Sequence, residues 1–285
     1  MNLYFPSGEI LFIKLLRITT VLISNSFRRI LWLIRDSKKA NKTELQLHLL
    51  VMNNIAYAKL ARTCVESFLH FHPNSQITIH CDDKTRKEVR KALRVLNFFR
   101  RGRTRLENIK SDFPWQRHKL DVILKMSGTR GIFMDCDLRW NGSMSIGEVN
   151  KIIYFVKEKP LRSYDKLIES APPFLREFSE SSMKNTSFFS WSGCEILETQ
   201  RAQIIKMWAE IYEHSQSQIS ESHGSLSRVS EQVILSVLPE VFSLSFTFLK
   251  ESDFQFDGSL CESSYFGASG GRFALWGNTI RKSLF

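Results

Sequence analysis

Two aspartates separated by one residue, Asp135 and Asp137, follow a short apolar run at Gly131–Met134. In a β-strand the side chains at i and i+2 point to the same face, so both carboxylates can reach one cation at the end of the strand. Two carboxylates held this close repel each other, and Mg²⁺ and Mn²⁺ relieve that repulsion because they prefer carboxylate and phosphate oxygens. The spacing therefore predicts a divalent-metal site that holds a phosphate-containing ligand.

The elements that position this pair are strands and helices that alternate from residue 45 onwards. Apolar runs predict the strands, and 3.6-residue spacing predicts the helices between them. Such units favour an α/β, Rossmann-like domain with a mostly parallel central sheet and helices on both faces. Ligands bind these sheets at the carboxyl ends of the strands, which is where Asp135 and Asp137 fall. Before the strand that ends at Asp135, the predicted strands are 45–52 and 77–81, and the predicted helices are 56–71, 84–97 and 115–126.

Composition narrows the class of protein. A chain of 285 residues with 43% hydrophobic content is long enough for one folded domain plus an extension. The five cysteines are odd in number and form no Cys-x-x-Cys pair, which argues against a zinc site or a disulfide framework. The sequence has no Gly-x-x-x-x-Gly-Lys-Ser/Thr loop, no Gly-x-Gly-x-x-Gly after the first strand and no Gly-x-Ser-x-Gly elbow. P-loop enzymes, dinucleotide oxidoreductases and α/β-hydrolases are therefore not indicated.

Residues 1–43 are both basic and apolar, with eight Lys and Arg residues against two acidic ones, a net charge of +6. No stretch reaches the roughly 20 uninterrupted apolar residues of a spanning helix. Lys14, Arg28 and Arg35 recur at multiples of seven, so a helix gathers its charge on one side. The segment is predicted to be an amphipathic helical extension of a domain over 44–285. It lies on an anionic membrane surface, docks on its own domain, or acts as a signal anchor.

These alternatives imply different locations for the protein. A cytoplasmic protein held peripherally at a membrane is favoured, and a Golgi-type luminal protein with an N-terminal signal anchor is the alternative. A second basic stretch, residues 84–110, carries eleven Lys and Arg residues against Glu88 and Glu107, a net charge of +9. Its helical spacing predicts a solvated face over 84–97, followed by a loop that carries Arg103 and Arg105. The alternatives for the arginines of that loop are contact with an acidic lipid, contact with a polyanionic acceptor, or no partner. Nucleic acid is not an expected partner.

Five short motifs follow one another between residues 45 and 141. They are Asn53 with Tyr57 after the first strand, Phe71-His72-Pro73, Ile77-Thr78-Ile79-His80-Cys81-Asp82-Asp83, Trp115-Gln116-Arg117-His118-Lys119-Leu120 and Phe133-Met134-Asp135-Cys136-Asp137. In this order they resemble the GT-A glycosyltransferases that use nucleotide-diphospho-sugars. The resemblance implies a GT-A fold and transfer of a sugar from a nucleotide diphosphate, UDP above all, to a glycan or a lipid-linked acceptor. It also implies Mn²⁺ or Mg²⁺ as the metal.

The resemblance assigns roles to residues around the metal pair. It makes Asp137 the direct metal ligand, and it places Asp135 on the metal, through a bound water, or beside the ribose. Lys119 matches the position of a cation that neutralises the diphosphate. A metal and a cation at this place stabilise the negative charge that builds on the leaving group.

The same resemblance assigns the nucleoside end and the acceptor end. Asn53 and Tyr57 are placed to contact the nucleobase or ribose, although a helix cap followed by a packed aromatic residue explains them equally well. Asp82 or Asp83 can accept from the base or the ribose, and Asp83 can instead be a helix N-cap. Glu231 matches a late acidic residue and is the candidate acid beside the acceptor hydroxyl, or else a cap of the helix over 232–238.

One departure from the family pattern concerns the metal shell. The family often supplies a late histidine as a further ligand, whereas this chain has no histidine after His223. The resemblance thus leaves the rest of the shell to phosphate oxygens and water.

Two other functions fit parts of the sequence. A haloacid-dehalogenase-like phosphohydrolase uses an Asp-x-Asp pair such as Asp135/Asp137 at a strand end, but there the motif stands near the domain start, and here it follows two strand-helix units. A non-catalytic basic protein that binds a membrane or nucleic acid is the second alternative, and it predicts that Asp137→Asn leaves function unchanged.

Overall fold

The computed structural model describes eleven segments of the chain. They are 45–99, 102–110, 112–126, 131–140, 151–155, 157–161, 171–192, 195–216, 226–249, 254–255 and 266–268. The extension predicted at 1–43 lies outside the described residues.

Helices and strands alternate through the first half of the described chain, as the sequence predicts. The described helices are α1 (Tyr57–Phe71), α2 (Asp83–Ala92), α3 (Arg94–Phe99), α4 (Trp115–Lys125), α5 (Pro173–Arg176), α6 (Glu195–Thr199), α7 (Arg201–Gln216) and α8 (Leu226–Val241). The described strands are β1 (Gln46–Val51), β2 (Gln76–Cys81), β3 (Thr104–Asn108), β4 (Gly131–Met134), β5 (Leu138–Trp140), β6 (Lys151–Tyr154), β7 (Lys157–Pro160), β8 (Ser182–Lys184), β9 (Phe188–Ser192), β10 (Phe246–Phe248), β11 (Phe254–Gln255) and β12 (Phe266–Ala268).

A seven-stranded sheet forms the centre, in the order β10-β6-β9-β4-β1-β2-β3. Its neighbours pair in parallel except β9, which runs antiparallel to both β4 and β6. From β1 the chain builds outward through β2 to β3, and it then returns to place β4 on the other side of β1. The order of strands therefore reverses between β1 and β4, and such a reversal leaves a crevice at the carboxyl ends of the two strands.

Successive side chains of the strands pack alternately into two separate hydrophobic clusters, one on each face of the sheet. Ile132 and Met134 pack with α1 and α2 on one face, whereas Phe133 packs with α4 and α8 on the other. Phe188 and Phe189 divide between the clusters in the same way. Because both faces of β4 are covered, its four residues are all apolar and buried, as in buried sheets. The predicted α/β fold with a mostly parallel sheet and helices on both faces is confirmed.

Three local predictions from the sequence need correction. The stretch predicted as a loop around Arg103 and Arg105 contains strand β3, because the backbone of Thr104–Asn108 completes the sheet edge beside β2. The N-cap of α2 is Asp82 rather than Asp83. Glu231 does not cap a helix, because it lies inside α8.

A smaller sheet joins the end of the described chain to the strand after the aspartate pair. Its order is β11-β12-β5, and β12 runs antiparallel to β5 with Phe266 opposite Trp140. On the other side, the Trp140 backbone N–H donates to Ser67 Oγ of α1 at 3.0 Å. Among the described helices, none combines the length and the hydropathy needed to cross a bilayer.

Asp82 links β2, α2 and the loop after β1. Its Oδ1 accepts from the backbone N–H of Thr85 at 2.8 Å and from the Thr85 hydroxyl at 2.7 Å, and its Oδ2 accepts from the backbone N–H of Asn53 at 2.9 Å. Asn53 has a positive φ of 65°, a conformation that asparagine tolerates better than most residues. The buried carboxylate therefore holds both the start of α2 and the turn after β1.

We expect Asp82→Ala to lower the free energy of unfolding by about 2 kcal/mol, because it removes a helix cap and leaves buried N–H groups without acceptors. Asp83→Ala is the matched control, since Asp83 is exposed in the first turn of α2, and we expect a change within about 0.5 kcal/mol. Urea unfolding of both variants measures the difference. Equal losses in the two variants contradict the role given to Asp82.

Candidate active site

A cavity of about 410 Å³ opens at the reversal point between β1 and β4. Residues that follow the two strands line it, together with the first turns of α1 and α4. Five of the eight predicted site residues meet there: Asn53, Tyr57, Lys119, Asp135 and Asp137. The other wall residues are Leu50, Met52, Asn54, Trp115, Phe133 and Cys136.

The aspartate pair lies in the turn between β4 and β5. The Asp135 N–H donates to the Ser187 carbonyl at 2.7 Å, so the residues just before β9 fix the end of β4. The Leu138 N–H donates to the Asp135 carbonyl at 3.1 Å and closes the turn. Asp135 and Asp137 are both half-buried, while Cys136 between them is only 8% exposed. Both carboxylates line the cavity, and so does Cys136 between them, because these three residues lie in a turn after β4 and the strand alternation assumed from the spacing has already ended.

Lys119 of α4 is a buried cation at the back of the cavity. Its Nζ lies 3.1 Å from Asp135 Oδ1 and 3.8 Å from Glu231 Oε1, and 5.2 Å from the centroid of the Phe133 ring. Burial alone lowers the pKa of Lys119, but the charges of Asp135 and Glu231 outweigh burial, and the pKa is raised. Lys119 is therefore a protonated ammonium that bridges an accessible carboxylate and a buried one.

Glu231 lies behind Lys119 and is not among the residues that line the cavity. It is 2% exposed, and its Oε2 has no hydrogen-bond partner among the residues that the structure describes. Burial raises the pKa of Glu231 from 4.5 to about 7, although the positive charge of Lys119 opposes the shift. Its contact with the cavity runs through the ammonium of Lys119.

The residues predicted to contact the nucleoside form two groups: Asn53 and Tyr57 line the cavity, and Asp82 and Asp83 do not. Tyr57 is the first residue of α1, is 39% exposed and lines the cavity beside Asn53. Asp82 is fully buried, and both of its oxygens accept hydrogen bonds from Asn53 or Thr85. Asp83 is exposed on α2 and is absent from the cavity wall. Asp82 therefore reaches the cavity only through the Asn53 backbone.

Trp115 lines the cavity and was not singled out as a site residue from the sequence. It is the first residue of α4, follows the N-cap residue Pro114 and is 39% exposed. The signal in the sequence is positional, because Trp115 opens the helix before β4 as Tyr57 opens the helix after β1. An exposed aromatic ring at each of these helix starts suits stacking on a flat ligand.

The cavity carboxylates fit a divalent metal of the magnesium type. Burial is the largest cause that raises the pKa of the Cys136 thiol and of the Tyr57 hydroxyl. The negative charges of Asp137 and Asp135 raise both pKa values further. No group of three or more His, Cys, Asp or Glu side chains in the described segments is arranged as a metal cage. Mg²⁺ binds typically through one or two carboxylates plus phosphate oxygens and water, and Asp135 with Asp137 supply that number.

The fold and the position of this cavity define an α/β protein of the GT-A type. Galactosyltransferase LgtC, in a crystal structure with donor and acceptor sugar analogues, matches with a TM-score of 0.50 and 14% sequence identity, over 84% of this chain and 95% of LgtC. An active-site mutant of LgtC matches with a TM-score of 0.49 and 14% identity, over 80% of this chain and 88% of the mutant. The sequence matches no protein-family model and no curated protein. At this identity the shared property is the fold.

We expect Glu231 to make the protein less stable as the pH rises from about 4.5 to about 7. The folded state keeps a proton on Glu231 that the unfolded state releases in this window, so the free energy of unfolding falls by up to about 3 kcal/mol. Glu231→Gln removes this contribution, whereas Glu210→Gln, an exposed position on α7, retains it. Urea unfolding at about pH 5 and about pH 7.5 measures the slope. If Glu231→Gln keeps the slope of the unmodified protein, Glu231 is ionised throughout.

Proposed function

We propose that this protein is a metal-dependent glycosyltransferase that moves a sugar from a nucleotide diphosphate, UDP in the first instance, to a glycan or lipid-linked acceptor. The observation that carries the proposal is the convergence of Asp135, Asp137 and Lys119 in one cavity at the reversal point of a GT-A fold. Two carboxylates and one buried ammonium suit a ligand that contains both a cation and a diphosphate. The LgtC complex with donor and acceptor sugar analogues supports the same substrate class.

Asp137 and Asp135 would hold the metal, with Asp137 as the direct ligand and Asp135 on the metal, through a bound water, or beside the ribose. A bound Mn²⁺ or Mg²⁺ stabilises the negative charge that develops on a diphosphate leaving group. The turn that carries the pair is fixed by the Ser187 carbonyl and by α1 through Ser67 and Trp140. The protein therefore presents both carboxylates in one orientation before a donor arrives, which saves reorganisation during transfer.

Lys119 would neutralise the diphosphate from its place beside Asp135. Its ammonium is protonated at neutral pH and is 4% exposed, so its charge is poorly screened by water. Glu231 takes a positioning role in this proposal, because it contacts Lys119 and does not reach the cavity wall. This differs from the role of acceptor-side acid that the sequence resemblance implies. Retention or inversion at the sugar is left open.

Tyr57 and Trp115 would hold the nucleobase or a sugar ring between the starts of α1 and α4. Asn53 would bind the ribose or base, and Asp82 would orient Asn53 through the backbone hydrogen bond at 2.9 Å. Asp83 is the weaker candidate for direct contact, since it lies off the cavity wall.

The fold supports the transferase over the two alternatives. In a phosphohydrolase of the haloacid-dehalogenase type the Asp-x-Asp pair stands near the domain start, whereas here it follows strands β1, β2 and β3 in a sheet that resembles that of LgtC. A non-catalytic protein that binds a membrane or nucleic acid through its surface does not require a cavity of about 410 Å³ that gathers two carboxylates and an ammonium.

Asp137→Asn tests the metal site. We expect at least about a tenfold loss of Mn²⁺-dependent UDP affinity and a larger loss of turnover, because the direct metal ligand loses its charge. Calorimetry with UDP and Mn²⁺, followed by NMR of a panel of nucleotide sugars, measures binding and slow hydrolysis. Glu210→Gln is the control for the same carboxylate-to-amide change. Wild-type binding and turnover in Asp137→Asn refute the proposal, as does the absence of binding for every nucleotide sugar.

Lys119→Met tests the diphosphate contact. We expect UDP to bind at least about tenfold more weakly, while uridine binding changes little, because only the diphosphate meets the ammonium. Lys125→Met is the matched control, since Lys125 is exposed at the end of the same helix. An equal loss for UDP and uridine indicates a general disturbance of the cavity and contradicts the role of Lys119.

A further inference from the structure

Helices α2 and α3 form one nearly continuous helical segment on the outside of the sheet. The Leu93 N–H donates to the Val89 carbonyl at 3.0 Å, and the Asn97 N–H donates to the Leu93 carbonyl at 2.8 Å. These i to i−4 bonds carry the helix through the junction at Leu93. Residues 83–99 can therefore be treated as one amphipathic unit.

One side of this unit is anchored in the core. Thr85, Val89, Leu93 and Leu96 recur every three or four residues and are fully buried. The Thr85 hydroxyl also donates to the Val51 carbonyl of β1 at 2.7 Å. The packing fixes which side of the helices faces outward.

The outward side is strongly basic. Over residues 83–98, five exposed cations stand against a single exposed carboxylate, Asp83. The five cations are Lys84, Lys87, Arg90, Lys91 and Arg94. We call this surface, the exposed side of 83–98, the basic face.

Two exposed apolar side chains interrupt the basic face at its α3 end. Phe98 is 68% exposed, the largest exposed fraction among the large hydrophobic residues described, and Val95 is 39% exposed. Cations at a sheet edge can serve simply to prevent edge-to-edge association. That explanation does not account for an exposed phenylalanine and an exposed valine on the same side of the helices as Lys91 and Arg94.

We propose that the basic face binds the surface of an anionic phospholipid bilayer. Lysine and arginine side chains attract anionic headgroups, and an exposed aromatic residue among them inserts at the boundary of headgroups and acyl chains. The phosphates of a nucleic acid can also pair with the cations, but a nucleic acid gains less binding energy from contact with Val95. Cations together with exposed apolar side chains therefore favour a lipid surface. The charges also require the attraction to weaken with salt.

The basic face begins beside the cavity. Asp82 caps α2 at the residue before Asp83, and the same carboxylate holds Asn53 on the cavity wall. A protein docked through this face keeps the cavity within one helix length of the lipid headgroups. The proposal does not depend on sugar transfer, because it concerns a surface outside the cavity.

A fluorophore at position 98 of the full chain tests the proposal and separates it from any membrane contact of residues 1–43. Phe98→Cys is made with Cys194→Ser and Cys261→Ser and labelled with an environment-sensitive dye; Cys64, Cys81 and Cys136 are buried. We expect a blue shift of the dye with vesicles of phosphatidylcholine and phosphatidylserine, and none with phosphatidylcholine alone. The same dye at Ile196→Cys, an exposed position on α6, stays unshifted.

Charge reversal provides the second arm. Lys91→Glu with Arg94→Glu weakens the partition that produces the shift by at least about tenfold, whereas Lys125→Glu with Lys206→Glu, the same charge change at exposed positions elsewhere, weakens it far less. Vesicle binding with no shift at position 98 overturns the proposal. It is also overturned if single-stranded RNA shifts the dye as strongly as vesicles do, or if the two double variants behave alike.

Discussion

The site depends on the burial of one ammonium group. Lys119 is 4% exposed, and a lysine in that environment stays charged only if carboxylates compensate for lost hydration. Asp135 and Glu231 provide that compensation from the turn after β4 and from α8. Helix α4, the β4 turn and α8 therefore have to keep their relative positions.

The sheet supplies the geometry in which this pairing is useful. Parallel strands β1 and β4 end side by side at the point where the strand order reverses, so the residues after both face one crevice. The antiparallel β9 contributes differently, because the carbonyl of Ser187 just before it holds the Asp135 backbone. The carboxylate pair is thus positioned by one strand that carries it and by one that passes in the opposite direction.

Much of this arrangement can be predicted from the sequence, and the predictions that are wrong have physical causes. The strands and helices up to Asp137 follow largely from apolar periodicity. The period of two does not extend to Asp135 and Asp137, because β4 ends at Met134 and the pair lies in the turn that follows it. The sequence does not predict which residue is the N-cap of α2, and it does not predict that Glu231 is buried. Asp82 and Asp83 have identical side chains, and only the backbone direction after β2 decides which one caps α2. Glu231 became a buried partner of Lys119 because α8 packs against α4, a contact between elements far apart in the chain.

The edge strand β3 was missed for a related reason. Its residues alternate only weakly in hydrophobicity, and its strand conformation is imposed by hydrogen bonds to β2. Trp115 was overlooked because a tryptophan before a helix is usually a packing residue. Its place on the cavity wall follows from the tertiary fold, which brings the starts of α1 and α4 to the same cavity, and no local pattern predicts this.

The pairing of β12 with β5 links the aspartate turn to the last part of the described chain. Strand β5 directly follows Asp137, and its antiparallel partner is the last strand described, so their hydrogen bonds join early and late parts of the sequence. During synthesis the early strands emerge and can fold first, while β5 keeps an open edge until Phe266–Ala268 leave the ribosome. The turn that carries Asp135 and Asp137 therefore gains this β-sheet support only when most of the chain has been synthesised.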